Sequence, residues 1–319
     1  MFPYLMRRLA NYAILLFIAT SLAYLLASAS LDPANNWNRE DTTLNWDAIN
    51  AALVQYNISS DLPVWSRYVT WLREVVTSWN WGVTPKGESV NALLGTKIAV
   101  SVRLVFLGAI IGMVGGVALG AWTATRQYKL SDRAVSLLAM IVISTPAMVL
   151  AILLQVLAVH INRTTGYQIF EFTGEGEGFL GRAQHLLLPT LSMSLGSIAS
   201  YSRYQRNLML DTLGADYVRT ARAKGLRKHQ AATRHALRTA LIPMATYFAF
   251  AMAGLFTGAV ITERVYGWHG MGEYSINSIS NYDINGVTAV VAFSGLCTLT
   301  GALLSDVFVA VVDPRVRVS

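Results

Sequence analysis

The sequence predicts an all-α integral membrane protein with six transmembrane helices and a large external loop region after the first. Three observations carry that expectation: the composition, six long apolar stretches and a lopsided distribution of charge. Of 319 residues, 54% are hydrophobic and only 13% are charged, with 24 glycines besides. Soluble domains hold about 45–50% apolar residues with glycine counted, and about 25% charged ones. A soluble fold of this length could not cover its surface with so little charge, and neither a disordered nor a collagen-like chain has this composition. The single cysteine, Cys297, excludes an intramolecular disulfide; in its apolar run it reads as a small buried hydrophobe.

The apolar stretches are residues 9–31, 98–123, 134–161, 186–210, 237–261 and 287–312. Each reaches the roughly 20 helical residues that a bilayer core requires. None shows the alternation of a membrane β-strand. The first follows Arg7 and Arg8 and ends near Ala27-Ser28-Ala29, which resembles a signal-peptidase site. Its apolar run exceeds the usual signal core of about 7–15 residues, so a retained helix is expected.

Charge sets the orientation. With the N-terminus inside, the inner segments hold Arg7 and Arg8, then Arg126, Lys129 and Arg133, nine bases between residues 203 and 238, and Arg315 and Arg317. Those are 16 of the 25 Lys and Arg, against five of the 18 acids: Asp132, Asp211, Asp216, Asp306 and Asp313. Both termini are therefore expected in the cytoplasm. The excess of base reports membrane topology, not nucleic-acid binding.

The expected domain plan follows: residues 1–31 for the N-terminal segment and first helix, 32–97 external, 98–312 for a five-helix core with a cytoplasmic segment at 211–236, and a tail at 313–319. The external region carries seven acids and many aromatics, among them Trp65, Tyr68, Trp71, Trp79 and Trp81. Asp61-Leu-Pro-Val-Trp65 has the form of a helix start with Asp as cap, leading into an amphipathic helix over residues 66–76. An interfacial cap with Trp at headgroup level and a docking surface for an external partner both fit.

Inside the spans, Gly108, Gly112, Gly116 and Gly120 recur every four residues, so one helix face admits a close neighbour. Gly254 and Gly258 repeat the device in the fifth span. Thr190, Ser194, Ser197 and Tyr201 form one polar face on the fourth, suited to interhelical hydrogen bonds or to a wet path. Ser144-Thr145-Pro146 predicts a mid-span kink, either a gate or a bend. Thr145, Pro146, Ser194 and Ser197 are thus the candidate pore-lining residues.

The absences narrow the function. No acid lies in the middle of a span, which disfavours proton- or sodium-coupled carriers. Asp306 and Arg103 lie near span ends, where they can snorkel or pair. There is no G-x-x-x-x-G-K-[ST], so this chain has no P-loop for ATP, and no H-E-x-x-H. The five histidines (160, 185, 229, 235 and 269) form no close metal-ligand pair, and no interior serine has a convincing histidine partner for a membrane protease. No catalytic residue, metal or cofactor is expected in this chain.

The most informative stretch is residues 215–244, ADYVRTARAKGLRKHQAATRHALRTALIPM. It predicts a short helix over 216–224, a left-handed stop at Gly225, and a second helix from Lys228 into the fifth span. VRTARAKGL at 218–226 followed by RHALRTALIP at 234–243 resembles the coupling loop of ABC importer permeases. The likeness is to the B-type subunit of oligopeptide and dipeptide permeases, actinobacterial ones in particular. LMRRL at 5–9, YGWHGMGEY at 266–274 and DPRVR at 313–317 extend it over nearly the whole chain. Departures exist. Arg219 and Thr220 replace the Glu-Ala of the general importer pattern, as the peptide branch does, while Ala221 and Gly225 match. Thr239 stands where some relatives have proline, and His269 where many do.

The resemblance implies a type I ABC importer permease fold. It implies a pore shared with a homologous second permease, one or two P-loop ATPase subunits that bind ATP and Mg, an external solute-binding protein and a peptide substrate in a bacterial cell membrane. Dipeptide, or nickel and glutathione, are the alternative cargoes; a membrane scaffold without transport is the alternative class. Asp216, Tyr217, Arg219, Thr220, Ala221, Arg222, Lys224, Gly225 and Leu226 are the implied ATPase-coupling residues.

Overall fold

In a computed structural model, residues 2–312 are described; side chains are described over that range except at 2–5, 245, 248–259 and 306–312. The tail motif at 313–317 lies outside the described residues. The helices are α1 (Phe2–Ser30), α2 (Trp46–Gln55), α3 (Val64–Ser78), α4 (Val90–Thr125), α5 (Leu130–Ser144), α6 (Ala147–Thr165), α7 (Gly178–Leu213), α8 (Asp216–Ala223), α9 (Lys228–Ala231), α10 (Leu237–Tyr266), α11 (Met271–Ser280) and α12 (Ile284–Val312). A 3-10 turn (Pro33–Asn36) and a π-helical turn (Ala232–Ala236) complete them. One antiparallel bridge, Val83 with Ser89, is the sole extended pairing among the described residues.

Among the described residues, four helical stretches are long and apolar enough to cross a membrane: Met6–Ser30, Val90–Thr125, Ala147–Thr165 and Ile284–Ser305. They match the first, second, third and sixth expected spans. The fourth and fifth expected spans lie within α7, 36 residues long, and α10, 30 residues long.

The third expected span is not a kinked helix but two helices. Thr145 (φ −86°, ψ 124°) and Pro146 (φ −55°, ψ 138°) are both extended. Proline disfavours the helical region for the residue before it. Here that residue's N–H still closes α5 on Ile141 O (3.1 Å), and its hydroxyl takes the same carbonyl (2.8 Å). The carbonyl of Pro146 then opens α6 by accepting from Leu150 N (3.0 Å).

The chain divides into two compact units, Met1–Ser101 with His269–Leu299, and Val102–Trp268 with Thr300–Ser319. In the first, the expected external loop is largely helical and has its own aromatic core. Tyr24 of α1 is fully buried and stacks on Trp71 of α3 at 4.5 Å; Tyr68 and Trp81 close around them, with Leu53, Ile58 and Ile284. Arg67, only 2% exposed, donates to Ser28 O (3.0 Å), one of the last carbonyls of α1 that no helical N–H can reach. Asp61 does not cap α3. Pro63 occupies the cap position without a side-chain bond, and α3 begins at Val64 and runs two residues beyond the expected Val76.

In the second unit, the α4 glycines set the approach of α7. A Cβ at Gly108 would lie 3.0 Å from Cβ of Met193, and one at Gly116 would lie 2.5 Å from Cβ of Tyr201. A Cβ at Gly112 would meet Ser197, and one at Gly120 the backbone of Ser202. The glycine stripe is thus a packing groove. Gly254 and Gly258 lie outside the described side chains.

Candidate functional site

The segment singled out in the sequence folds as an amphipathic pair seated on the second unit. Val218 (1% exposed) and Ala221 (8%) point from α8 into an apolar cluster with Ala124, Met209, Ala231, Ala232, Ala236 and Ala240. Leu226 packs on the same cluster. Asp216, Tyr217, Arg219, Thr220, Arg222, Lys224 and Gly225 are all exposed. Seating and exposure alternate as a 3.6-residue period demands.

The helix ends are matched to their charges. Asp216 sits in the first turn and Arg222 in the last, each opposite in sign to the local helix dipole. Arg219 Nη1 approaches Asp216 Oδ1 at 3.8 Å with both groups solvated, so the pair contributes little. The hydroxyl of Thr220 is turned back onto Asp216 O (2.9 Å). The free row on this surface is therefore Tyr217, Arg222 and Lys224, with Arg219 loosely tethered.

Gly225 stops α8 as expected, in a Schellman arrangement. Its φ is +95°, its N–H donates to Arg222 O (3.0 Å), and Leu226 N donates to Ala221 O (3.3 Å). A Cβ on Gly225 would have nothing within 4 Å. Glycine is needed here for its backbone angle, not for space. The same turn drives Leu226 onto the apolar cluster.

Two features of this end of the bundle were not anticipated. A π-helical turn at Ala232–Ala236 joins α9 to α10, widening one turn under the seat of α8; such turns mark functional segments often enough to be informative. Its alanines, with Ala240, recur every four residues (232, 236, 240), and that small-residue row was visible in the sequence. The second feature is an ion pair. Arg206 of α7 holds Asp132 of α5 through Nε–Oδ1 (2.7 Å) and Nη2–Oδ2 (2.8 Å). The same carboxylate takes Tyr128 N (2.9 Å), closing the α4–α5 turn where Tyr128 is left-handed at φ +65°. No local pattern links residues 132 and 206.

The candidate pore residues fall in two places. Thr145 and Pro146 form the α5–α6 break, half-buried and exposed respectively. Ser194 (1% exposed) donates to Leu191 O (3.2 Å), and Ser197 lies against Gly112. Thr190 and Tyr201 of the same face are also buried. Near the opposite ends of these helices, Arg103 pairs with Glu175 at 3.6 Å. In the first unit, His269 pairs with Glu273 through Nδ1–Oε2 (2.6 Å).

With this geometry in view, the chain can be set beside known proteins. Residues 116–318 match the family model described as binding-protein-dependent transport system inner membrane component. The chain belongs to that family. The match takes in α8, its alanine seat and the Asp132–Arg206 pair. Among curated proteins, this inner membrane component is 46% identical to the oligopeptide transport system permease protein OppB of Mycobacterium bovis, over 99% of both chains. It is 28% identical to the oligopeptide permease AppB of Bacillus subtilis over 80% of this chain and 81% of that one. The dipeptide permease DppB of Lactococcus lactis subsp. cremoris is 27% identical over 99% of this chain and the whole of that one. A solved structure, the MetNI methionine ABC transporter in an inward-facing conformation, shares the fold. The TM-score is 0.54 at 17% identity, over 69% of this chain and 96% of that one.

Proposed function

We propose that this chain is a permease subunit of an ATP-driven importer of oligopeptides. The single observation that carries the reading is the α8 surface, a short helix seated on buried Val218 and Ala221 and presenting an exposed basic row. A full-length relative named as an oligopeptide permease supports the cargo. The dipeptide permeases at lower identity make dipeptides the alternative cargo.

The chain contributes one side of a pore, and a homologous second permease the other. P-loop ATPase subunits bind ATP and Mg and press on α8 from the cytoplasm; a solute-binding protein delivers peptide from outside. Both termini are cytoplasmic in this reading, which the distribution of Lys and Arg supports. Tyr217, Arg219, Arg222 and Lys224 meet the ATPase, and acids on that partner complement the three bases. When the ATPases close, α8 moves as a lever with its alanine seat, and the pore switches its access. The coupling resides in the difference between α8 contacts with open and closed ATPases.

Thr145 and Pro146, where a span is broken, are the pore-lining residues in this account. Ser197, which lies against Gly112 of α4, serves helix packing there, and Ser194 stays a candidate for the pore. Gly225→Val tests the lever. The variant should assemble in the membrane with its ATPases yet hydrolyse ATP without peptide uptake, and coupled uptake in it would refute the assignment.

A further inference from the structure

We propose that α3 lies at the membrane interface, with one face immersed among lipid acyl chains. A helix on a soluble domain needs two faces, one buried and one wet; α3 has three. Arg67, Tyr68 and Trp71 are buried against the first unit's core. Ser66, Thr70, Arg73, Glu74 and Thr77 are exposed and polar. Between them runs a third stripe at i, i+4, i+7 and i+11: Trp65, Val69, Leu72 and Val76. Trp65 is 66% exposed, Val69 48% and Val76 72%, and Trp79, just past the helix end, is 68% exposed. Leaving such a stripe in water is unfavourable.

The partners of α3 say what covers it. Tyr68 donates to Ser21 Oγ (2.9 Å), Trp71 stacks on Tyr24, and Arg67 reaches Ser28 O. All three contacts are on α1, within its membrane-crossing stretch Met6–Ser30. At about 1.5 Å per residue they lie roughly 3–14 Å from the end of that stretch. Twenty-five residues cover about 38 Å at that rise, against a hydrocarbon core of ~30 Å, so these levels run from the outer edge of the core inward. At the same levels α1 exposes Leu22 (54%) and Leu26 (66%). A helix clasped to a lipid-crossing helix at this depth meets the same medium. Tryptophan at both ends of an apolar stripe, with a polar face opposite, is the composition that medium selects.

The inference rests on α1 as a membrane span and not on the cargo or the ATPases. Its test uses the full transporter, with all its subunits, in phosphatidylethanolamine–phosphatidylglycerol vesicles and a Cys297→Ser background. Single cysteines at positions 69, 70, 76 and 77 carry nitroxide labels, whose collision rates with oxygen and with a water-soluble nickel chelate are compared. The expected result is an oxygen-to-nickel ratio severalfold higher at 69 and 76 than at 70 and 77. High nickel access at all four would show the stripe in water and overturn the proposal. Immobile labels at 69 and 76 that neither reagent reaches would show a protein partner there and overturn it equally. Retained uptake by each labelled variant shows that the fold is intact.

Discussion

Arg206 and Asp132, 74 residues apart, form a two-point ion pair that ties α7 to α5. The carboxylate side chain is 3% exposed and the arginine 22%. The carboxylate also accepts from the N–H of Tyr128. The pair stands at the end of the bundle that carries the seat of α8, where α7 leads directly into that helix.

Asp132→Ala should therefore loosen both the α4–α5 turn and the α7 anchor. Hydrogen bonds to charged groups contribute about 1.5–3 kcal/mol each way in such sites. The single variants should lower the unfolding temperature in detergent, and the double variant with Arg206→Ala should cost less than their sum. The hydrogen bonds from Arg206 hold the Asp132 carboxyl below the usual range. A depressed carboxylate stabilises the fold above its unfolded value, near 3.9, and loses that contribution as pH falls through its folded value. The difference between wild type and Asp132→Asn should thus be constant at neutral pH and shrink only in strong acid.

Gly225→Asn and Gly225→Val should part company. Both add a Cβ into open space, with nothing within 4 Å of it. Asparagine tolerates a left-handed backbone and valine does not; the strain is about 1–2 kcal/mol. Uptake per ATP hydrolysed should be near wild type with Asn and collapse with Val.

Gly112→Ala should weaken the α4–α7 contact by about 1–3 kcal/mol, the usual cost of overpacking, because its new methyl collides with Ser197. Gly95→Ala in the same helix meets nothing within 4 Å and should stabilise by about 0.5–1 kcal/mol. Thermal unfolding of the two variants in one detergent makes the comparison.

Asp283, one residue before α12, is 3% exposed and caps that helix through Gly286 N (2.9 Å). Burial raises its pKa to about 6, the N–H groups of Gly286 and Asn285 oppose that, and Glu88 adds to it. A raised acid favours the folded state below its unfolded pKa and loses that advantage as pH climbs through the folded value. Asp283→Asn keeps a capping oxygen and removes the charge. It should unfold at a higher temperature than wild type above pH 7, and the gap should close near pH 4.

Much of this arrangement is legible in the residues. The spans follow from apolar length, Gly225 from its place after an amphipathic run, and the α4–α7 approach from glycines every four residues. Other parts needed tertiary information. Pro146 announced a bend, but the break came from Thr145 also leaving the helix. The polar face of α7 was visible, while what it faces depends on α4. The external tryptophans were read as one interfacial set, yet Trp71 and Trp81 are core and Trp65 and Trp79 are exposed. Asp61 resembled a cap because the Asp-x-Pro spacing is right; Pro63 itself took the cap position. The Asp132–Arg206 pair left no local trace, since neither residue departs from its neighbours' pattern.

The central claim is that the exposed face of α8 meets an ATPase. A photo-crosslinking phenylalanine analogue at Tyr217, in the transporter assembled in its native membrane, addresses it directly. The account predicts an adduct with a P-loop ATPase at position 217, changed in yield by ATP, and no such adduct from the same probe at Lys86 in the other unit. An ATPase that assembles with the complex yet gives no adduct at 217 would contradict the account.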